Sequence, residues 1–396
     1  MSWKAKRLDQ LGTVSRGRSR HRPRDAAHLY GGPHPFIQTG DVKHAGLYIN
    51  SFTQTYTEAG LVQSKLWPAG TLCITIAANI ADTAILGIDA CFPDSVIGFV
   101  ADPKLADTRF VKYLFDATIK IRAQQFSQGA TQDNLSQEKL LSLEFEIPEV
   151  EEQKRIADIL SSYDDLIDNN RRRMALLEDS ARQLYREWFV RLRFPGHEHT
   201  PILDGVPHGW ERKTLGDLCR EVRDMVLPGV LEPDTPYIGL EHIPRRSISL
   251  NDWGTVEEVT SSKCRFTTGE IIFGKIRPYF HKVGVAFVDG VTSSDAIVVR
   301  PVDETLQGLV LMTMSSDEFV AVTSQQMKEG SKMPRADWKQ MKAFSLPVPP
   351  LGLLKSFDDL IQPTVEQLRS LSFANQKLRQ ARDLLLPRLM NEDFAV

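Results

Sequence analysis

Residues 156–188 read IADILSSYDDLIDNNRRRMALLEDSARQLYREW. Within them Ile156, Leu160, Tyr163, Ile167, Asn170, Met174, Leu177, Ala181, Leu184 and Trp188 recur at a 4-3-4-3 spacing. Such a heptad seam predicts a single helix of roughly 50 Å at 1.5 Å per residue. A second seam runs near the C-terminus through Leu354, Phe357, Ile361, Thr364, Leu368, Leu371, Asn375, Leu378, Arg382, Leu385 and Leu389. Pro363 is expected to kink or restart that helix, because proline lacks the N–H of the helical ladder. Apolar seams of this length must be buried. The preferred solution is one intramolecular coiled coil, over two helices each packing on its own domain. Each seam carries one Asn near its middle, a residue that fixes register. An antiparallel pair with Asn170 level with Asn375 sets Ile156 opposite Leu389 and Trp188 opposite Phe357, so that the two seams end together.

The seams belong to a longer repeat. Pro35-Phe36-Ile37 matches Pro236-Tyr237-Ile238, Asp94 matches Asp295, Gly129-Ala130 matches Gly330-Ser331, and Pro148 matches Pro349, all at an offset of 201. Trp3 with Trp210 and Gly70 with Gly269 follow the same order at slightly different offsets. Each copy holds a β-rich part. Leu72–Ile76, Val96–Val100, Glu270–Phe273 and Ala296–Val299 are short β-branched runs punctuated by Gly, Pro and Asp. Phe110–Phe126 and Leu309–Met327 read as helices at equivalent places. The expected fold is α+β: two tandem modules separated by two long antiparallel helices forming a coiled coil. The boundaries are 1–150 for the first module, 151–190 for its helix, 191–208 for a linker, 209–350 for the second module and 351–390 for its helix.

Composition narrows the class. Apolar residues make up 42 % and charged residues 25 % of 396 residues, an ordinary globular balance. No apolar run approaches the ~18 residues of a membrane span, and Met1–Arg7 lacks the apolar core of a secretory signal. The four cysteines, Cys73, Cys91, Cys219 and Cys264, form no Cys-x-x-Cys pair. Reduced thiols and a cytoplasmic location are expected, with no membrane partner. Net charge is −3, from 48 basic and 51 acidic residues, so nucleic-acid binding must come from local patches.

Catalytic signatures are missing. Gly269–Lys275 begins like a P-loop but is followed by Ile276 where Ser or Thr would hold magnesium. There is no Gly-x-Gly-x-x-Gly, no amine-gripping Asn/Asp-Pro-Pro-Tyr/Phe, and no helical His-x-x-x-His pair. No catalytic residue and no metal ligand is assigned.

Local charge is more informative. Arg16, Arg18, Arg20, Arg22 and Arg24 alternate, which in an extended segment places guanidiniums on one side, suited to phosphates or guanine edges. In the second copy Lys275, Arg277, Tyr279 and Lys282 follow a strand and combine charge with an aromatic ring. The turns holding Gln132 and Asn134, and Lys332 and Arg335, offer polar groups to base edges. Candidate DNA contacts are therefore Arg16, Arg18, Arg20, Arg22, Gln132 and Asn134 in copy one. In copy two they are Lys275, Arg277, Tyr279, Lys332 and Arg335.

Together these features resemble the specificity subunits of type I restriction-modification enzymes. The resemblance rests on Trp210-Glu211 with Leu215-Gly216-Asp217-Leu218, on Phe273-Gly274-Lys275-Ile276-Arg277-Pro278, and on Gly129-Ala130-Thr131-Gln132 with Asn134-Leu135. Ile147-Pro148, Glu152-Gln153 with Ile156, and Leu384-Leu385-Leu386-Pro387-Arg388-Leu389-Met390 complete it. Pro350-Leu351-Gly352-Leu353-Leu354 departs from the family's Pro-x-x-x-Glu-Gln pattern. The resemblance implies two target-recognition domains that each read half of a split site in double-stranded DNA. It implies a non-catalytic chain that docks two methyltransferase subunits and the motor-nuclease restriction subunits. It places S-adenosylmethionine, ATP and Mg on those partners and no cofactor on this chain. A standalone bipartite DNA-binding regulator and a coiled-coil scaffold without a DNA role are the competing readings.

Overall fold

The structure is a computed structural model and describes residues 3–77, 80–120, 137–256, 261–325 and 334–391. The chain divides into two units, Met1–Asn169 with Asn375–Val396, and Asn170–Ala374. Both long helices contribute to both units. The first spans Val150–Tyr185 and continues as a helical turn over Arg186–Val190, and the second spans Leu351–Leu389.

In unit 1 a five-stranded sheet has the order Gly12–Arg16, Val96–Ala101, Leu72–Thr75, Thr83–Leu86, Tyr48–Ile49. A four-stranded sheet follows the order Gln54–Tyr56, Tyr30–Phe36, Ala90–Cys91, Leu66–Trp67. Lys4–Arg7 pairs separately with Glu144–Ile147. Leu72–Thr75 and Thr83–Leu86 are buried at every position, so they read as continuous apolar runs. Their alternate side chains enter different cores. Leu72 and Ile74 join Phe110, Val111 and Leu114 of the helix Thr108–Phe115, whereas Cys73 joins Trp67, Phe92 and Val96. Gly98 is required at this crossing, since a Cβ there would lie 2.6 Å from the Trp67 ring.

Unit 2 repeats this plan. Its first sheet has the order Cys219–Val222, Ala296–Pro301, Ile271–Gly274, Val283–Ala286, Ser249–Leu250. Its second is ordered Gly254–Thr255, Pro236–Ile238, Gly290–Thr292, Lys263–Phe266, Met225–Val226. Glu211–Thr214 pairs with Ser345–Val348 as Lys4–Arg7 pairs with Glu144–Ile147. The parallel pairs also recur at matching places, Tyr48–Ile49 on Thr83–Leu86 and Ser249–Leu250 on Val283–Ala286. Met225–Val226 is an edge strand that unit 1 lacks among its described residues. The expected helix Leu309–Met327 is instead two, Gln307–Met314 and Asp317–Gln325. The break falls at Ser315–Ser316, where the Ser316 hydroxyl accepts from the Phe319 N–H and starts the second helix.

The long helices pair antiparallel within each unit. In unit 1 Ile156 and Leu160 share a core with Leu389 and Met390. In unit 2 the Trp188 and Phe357 rings lie 5.6 Å apart, and Phe189 meets Phe357 edge-on at 4.7 Å. These are the two pairings expected from the seams. Pro363 does not restart the second helix, which runs unbroken over Leu351–Leu389. Pro363 is exposed, and so is Asp359 four residues before it, whose carbonyl has no N–H to accept from at Pro363. The buried stripe of the first helix departs from the heptads at three positions. Asp164, Glu178 and Tyr185 are buried, while Tyr163, Leu177 and Leu184 are only partly so. Within each unit the first helix buries a face against that unit's own residues, Tyr113 beside Asp164 and Ser249 beside Glu178, as well as against the other helix, so the stripe broadens toward a 3.6 period. Ile167, Asn170, Leu368, Leu371 and Asn375 are buried as expected, and Leu378 and Leu385 are half-buried.

Candidate nucleic-acid interface

The arginine run of unit 1 begins at the end of an edge strand. The strand stops at Arg16, and the segment beyond it is held by the loop after the helix Glu58–Val62. Gly17 and Ser19 point inward, whereas Arg16, Arg20 and Arg22 are exposed, so the alternation survives beyond the strand. Arg16 Nε donates to the Asp94 carbonyl at 2.9 Å, and Arg18 Nε donates to the Ser64 carbonyl at 2.7 Å. The Gln63 side chain accepts from the backbone N–H groups of Arg20 and His21 at 2.6 and 3.0 Å. Arg22 folds back on the carbonyls of Ser19 and His21, both at 2.8 Å. Carbonyls orient these guanidiniums without cancelling their charge. Among the described residues only Arg24 of the run meets a carboxylate, Asp94 at 2.8 Å. Lys65 lies beside the run, its ammonium 3.5 Å from the Trp67 ring centroid, and burial and then Arg18 push its pKa down. Gln132 and Asn134 lie outside the described residues.

In unit 2 the candidates gather on the connection from Ile271–Gly274 to Val283–Ala286. Arg277 holds a left-handed backbone (φ 50°, ψ 62°) and its N–H donates to the Pro334 carbonyl at 2.9 Å. Its guanidinium is exposed and has no carboxylate partner among the described residues. Tyr279 is 52 % exposed at the tip, with its ring 4.9 Å from Phe280. Lys275 donates to the Ser294 carbonyl at 3.1 Å. Arg335 pairs with Asp295 at 3.2 Å, so its charge is offset locally. The segment carrying it bridges back to Ile276. Lys332 lies outside the described residues.

Sequence reasoning missed Arg245. Its guanidinium carbon sits 4.1 Å from the Phe280 ring centroid. Lys282 is beside it and donates to the Leu240 carbonyl; burial, then Arg245, push the Lys282 pKa down. The adjacent Pro244-Arg245-Arg246 was a readable basic pair, but nothing local tied it to residue 280. The connection in unit 1 equivalent to 275–282 is Ile76–Asp82, which contains no cation. The two units therefore offer different surfaces on one topology. Among the described residues no group of His, Cys, Asp and Glu is arranged to hold a metal ion, and no helix is long and apolar enough to cross a membrane.

Comparison with known proteins gives this arrangement its class. Residues 1–179 match the family described as type I restriction modification DNA specificity domain. The MjaIX type I restriction enzyme specificity subunit of Methanocaldococcus jannaschii is 24 % identical over 100 % of this chain and 94 % of its own. The EcoDI specificity subunit of Escherichia coli is 22 % identical over 73 % of this chain and 69 % of its own. A type I S subunit from M. genitalium has the same fold, with a TM-score of 0.61 at 16 % identity over 99 % of this chain and 97 % of that one. The chain is similar to type I DNA-specificity subunits along its whole length, and the match to the family's domain model falls on residues 1–179.

Proposed function

We propose that this chain is the non-catalytic subunit that selects a split DNA site for a type I restriction-modification complex. One unit reads each half-site. The observation that carries this reading is the repeated sheet order presenting two different sets of cations that lack carboxylate partners among the described residues, Arg16, Arg18, Arg20 and Arg22 in unit 1, and Lys275, Arg277 and Arg245 in unit 2. Phosphates supply affinity and base edges supply sequence preference, so distinct cation sets on one scaffold suit two distinct half-sites. Gln132, Asn134 and Lys332 remain candidates from the sequence, and Tyr279 adds an aromatic contact. The partners are two methyltransferase subunits, with restriction subunits beyond them; S-adenosylmethionine, ATP and Mg serve those subunits. The test is to co-express the chain with its methyltransferase subunit and map methylated adenines genome-wide. Two short clusters separated by a fixed degenerate gap are expected. One uninterrupted recognition sequence, or none, overturns the reading.

A further inference from the structure

Two loops of unit 2 interlock beneath one exposed tip. Six non-glycine residues adopt positive φ among the described residues, and three of them, Arg246, Arg277 and His281, meet here. The Arg246 N–H donates to the His281 carbonyl at 2.9 Å, which ties the two strained turns together. Strained backbone persists only where its surroundings over-determine it, and it concentrates at functional sites. Arg246 spends its side chain on Asp317, at 2.8 Å. The backbone around Arg245 is held from below as well. Glu178 of the first long helix is buried and accepts from the Ser247 and Ser249 hydroxyls at 2.7 and 2.6 Å. Arg182, one turn on, donates to the Arg246 carbonyl at 2.5 Å. The surrounding loop is thus fixed, yet Arg245 itself is exposed and has no carboxylate partner among the described residues.

We propose that Arg245 is a specificity-determining residue of unit 2 that reads a guanine, with its guanidinium held over Phe280 beside Arg277 and Tyr279. The inference rests on the DNA reading above and names the base chemistry of one contact within it. A ring takes up a face of the guanidinium and leaves its edge donors available. A fork of two parallel N–H groups matches guanine O6 and N7. Holding that fork on a ring before DNA arrives lowers the entropy cost of the contact. Arg277 and Lys282 supply charge for the flanking phosphates.

The experiment is selection from a random DNA pool by the full chain with its methyltransferase subunits. The parent, Arg245→Ala and Arg245→Lys are compared. Arg245→Ala is expected to keep both half-sites and their gap while one guanine of a single half-site becomes degenerate, with discrimination there falling about 5- to 150-fold. Arg245→Lys keeps the charge but loses the fork, so it should not restore that guanine. An unchanged consensus in both variants overturns the proposal. So does a uniform loss of affinity with a salt slope reduced by about one and full rescue by lysine, which marks a phosphate contact. A parent that selects no split site fails at the earlier reading and removes the inference with it.

Discussion

The Tyr113 hydroxyl donates to Asp164 Oδ2 at 2.6 Å, and both residues are buried. The other carboxylate oxygen takes Arg382 from the second long helix. One acid on the first helix thereby joins the first module's own helix to the far end of the chain. Burial and then the Asp164 charge push the Tyr113 pKa far above its usual range, so the phenol stays a donor.

Removing either donor should therefore destabilise unit 1 by different amounts. Tyr113→Phe deletes one hydrogen bond to a charged group and should cost about 1.5–3 kcal/mol. Arg382→Ala leaves a buried carboxylate without its counter-charge and should cost about 3–5 kcal/mol. Urea melts compare the two; equal effects would show that Asp164 does not depend on the ion pair.

Glu178 plays the corresponding part in unit 2, with Ser247, Ser249 and Arg182 around it. Glu178→Ala strands the buried Ser249 hydroxyl and should cost about 1–3 kcal/mol. Under the proposed function it should also loosen the Arg245 loop. Binding selections on the folded variant should then blur one half-site and leave the other intact.

His281 gives unit 2 a pH dependence. Nε2 carries the proton donated to the Ser315 carbonyl at 2.8 Å, while Nδ1 is buried without a hydrogen-bond partner among the described residues. Burial lowers its pKa first; Arg246 and Arg182 also lower it, against the Ser315 bond and Asp317 at 3.5 Å, which raise it. The folded state therefore binds this proton less readily than the unfolded chain. Its stabilising contribution is complete above the unfolded value of about 6.5 and is lost as pH falls through it toward the lower folded value. His281→Asn, a residue that tolerates positive φ, should flatten the part of the stability change between pH 8 and pH 5 that this group causes. Melts of parent and variant at both pH values that fall in parallel would refute the assignment.

If the paired helices set the distance between the two reading heads, the gap in the DNA site should follow helix length. A seven-residue insertion after Arg173, matched by one after Asn375, adds ~10.5 Å of helix, about three base pairs. Selected sites should then show a gap longer by about that amount, or no binding where the added rotation misaligns one head. A functional variant with the parental gap would show that the helices do not set spacing.

The two long helices, their direction and the register of their ends were legible in the sequence, because periodic burial along a helix is written in local spacing. The repeat was legible for a similar reason: strands buried on both faces must be continuous apolar runs between turn residues, and the same runs recur in order. Tertiary structure alone decided which polar residues entered the interior. Asp164 and Glu178 look like the solvated flank of a heptad seam, and they are buried because Tyr113, Arg382, Ser247 and Ser249 arrive from distant segments. The same holds for the candidate binding surface. The alternation of Arg16, Arg18, Arg20 and Arg22 announced a basic segment, but that among the described residues their charges have no carboxylate partners while those of Arg24 and Arg335 are paired depends on where Asp94 and Asp295 fold. Arg245 and Phe280 lie 35 positions apart in the sequence. Only the packing of one loop on another makes them neighbours, since a pairing between segments leaves no mark on the spacing within either.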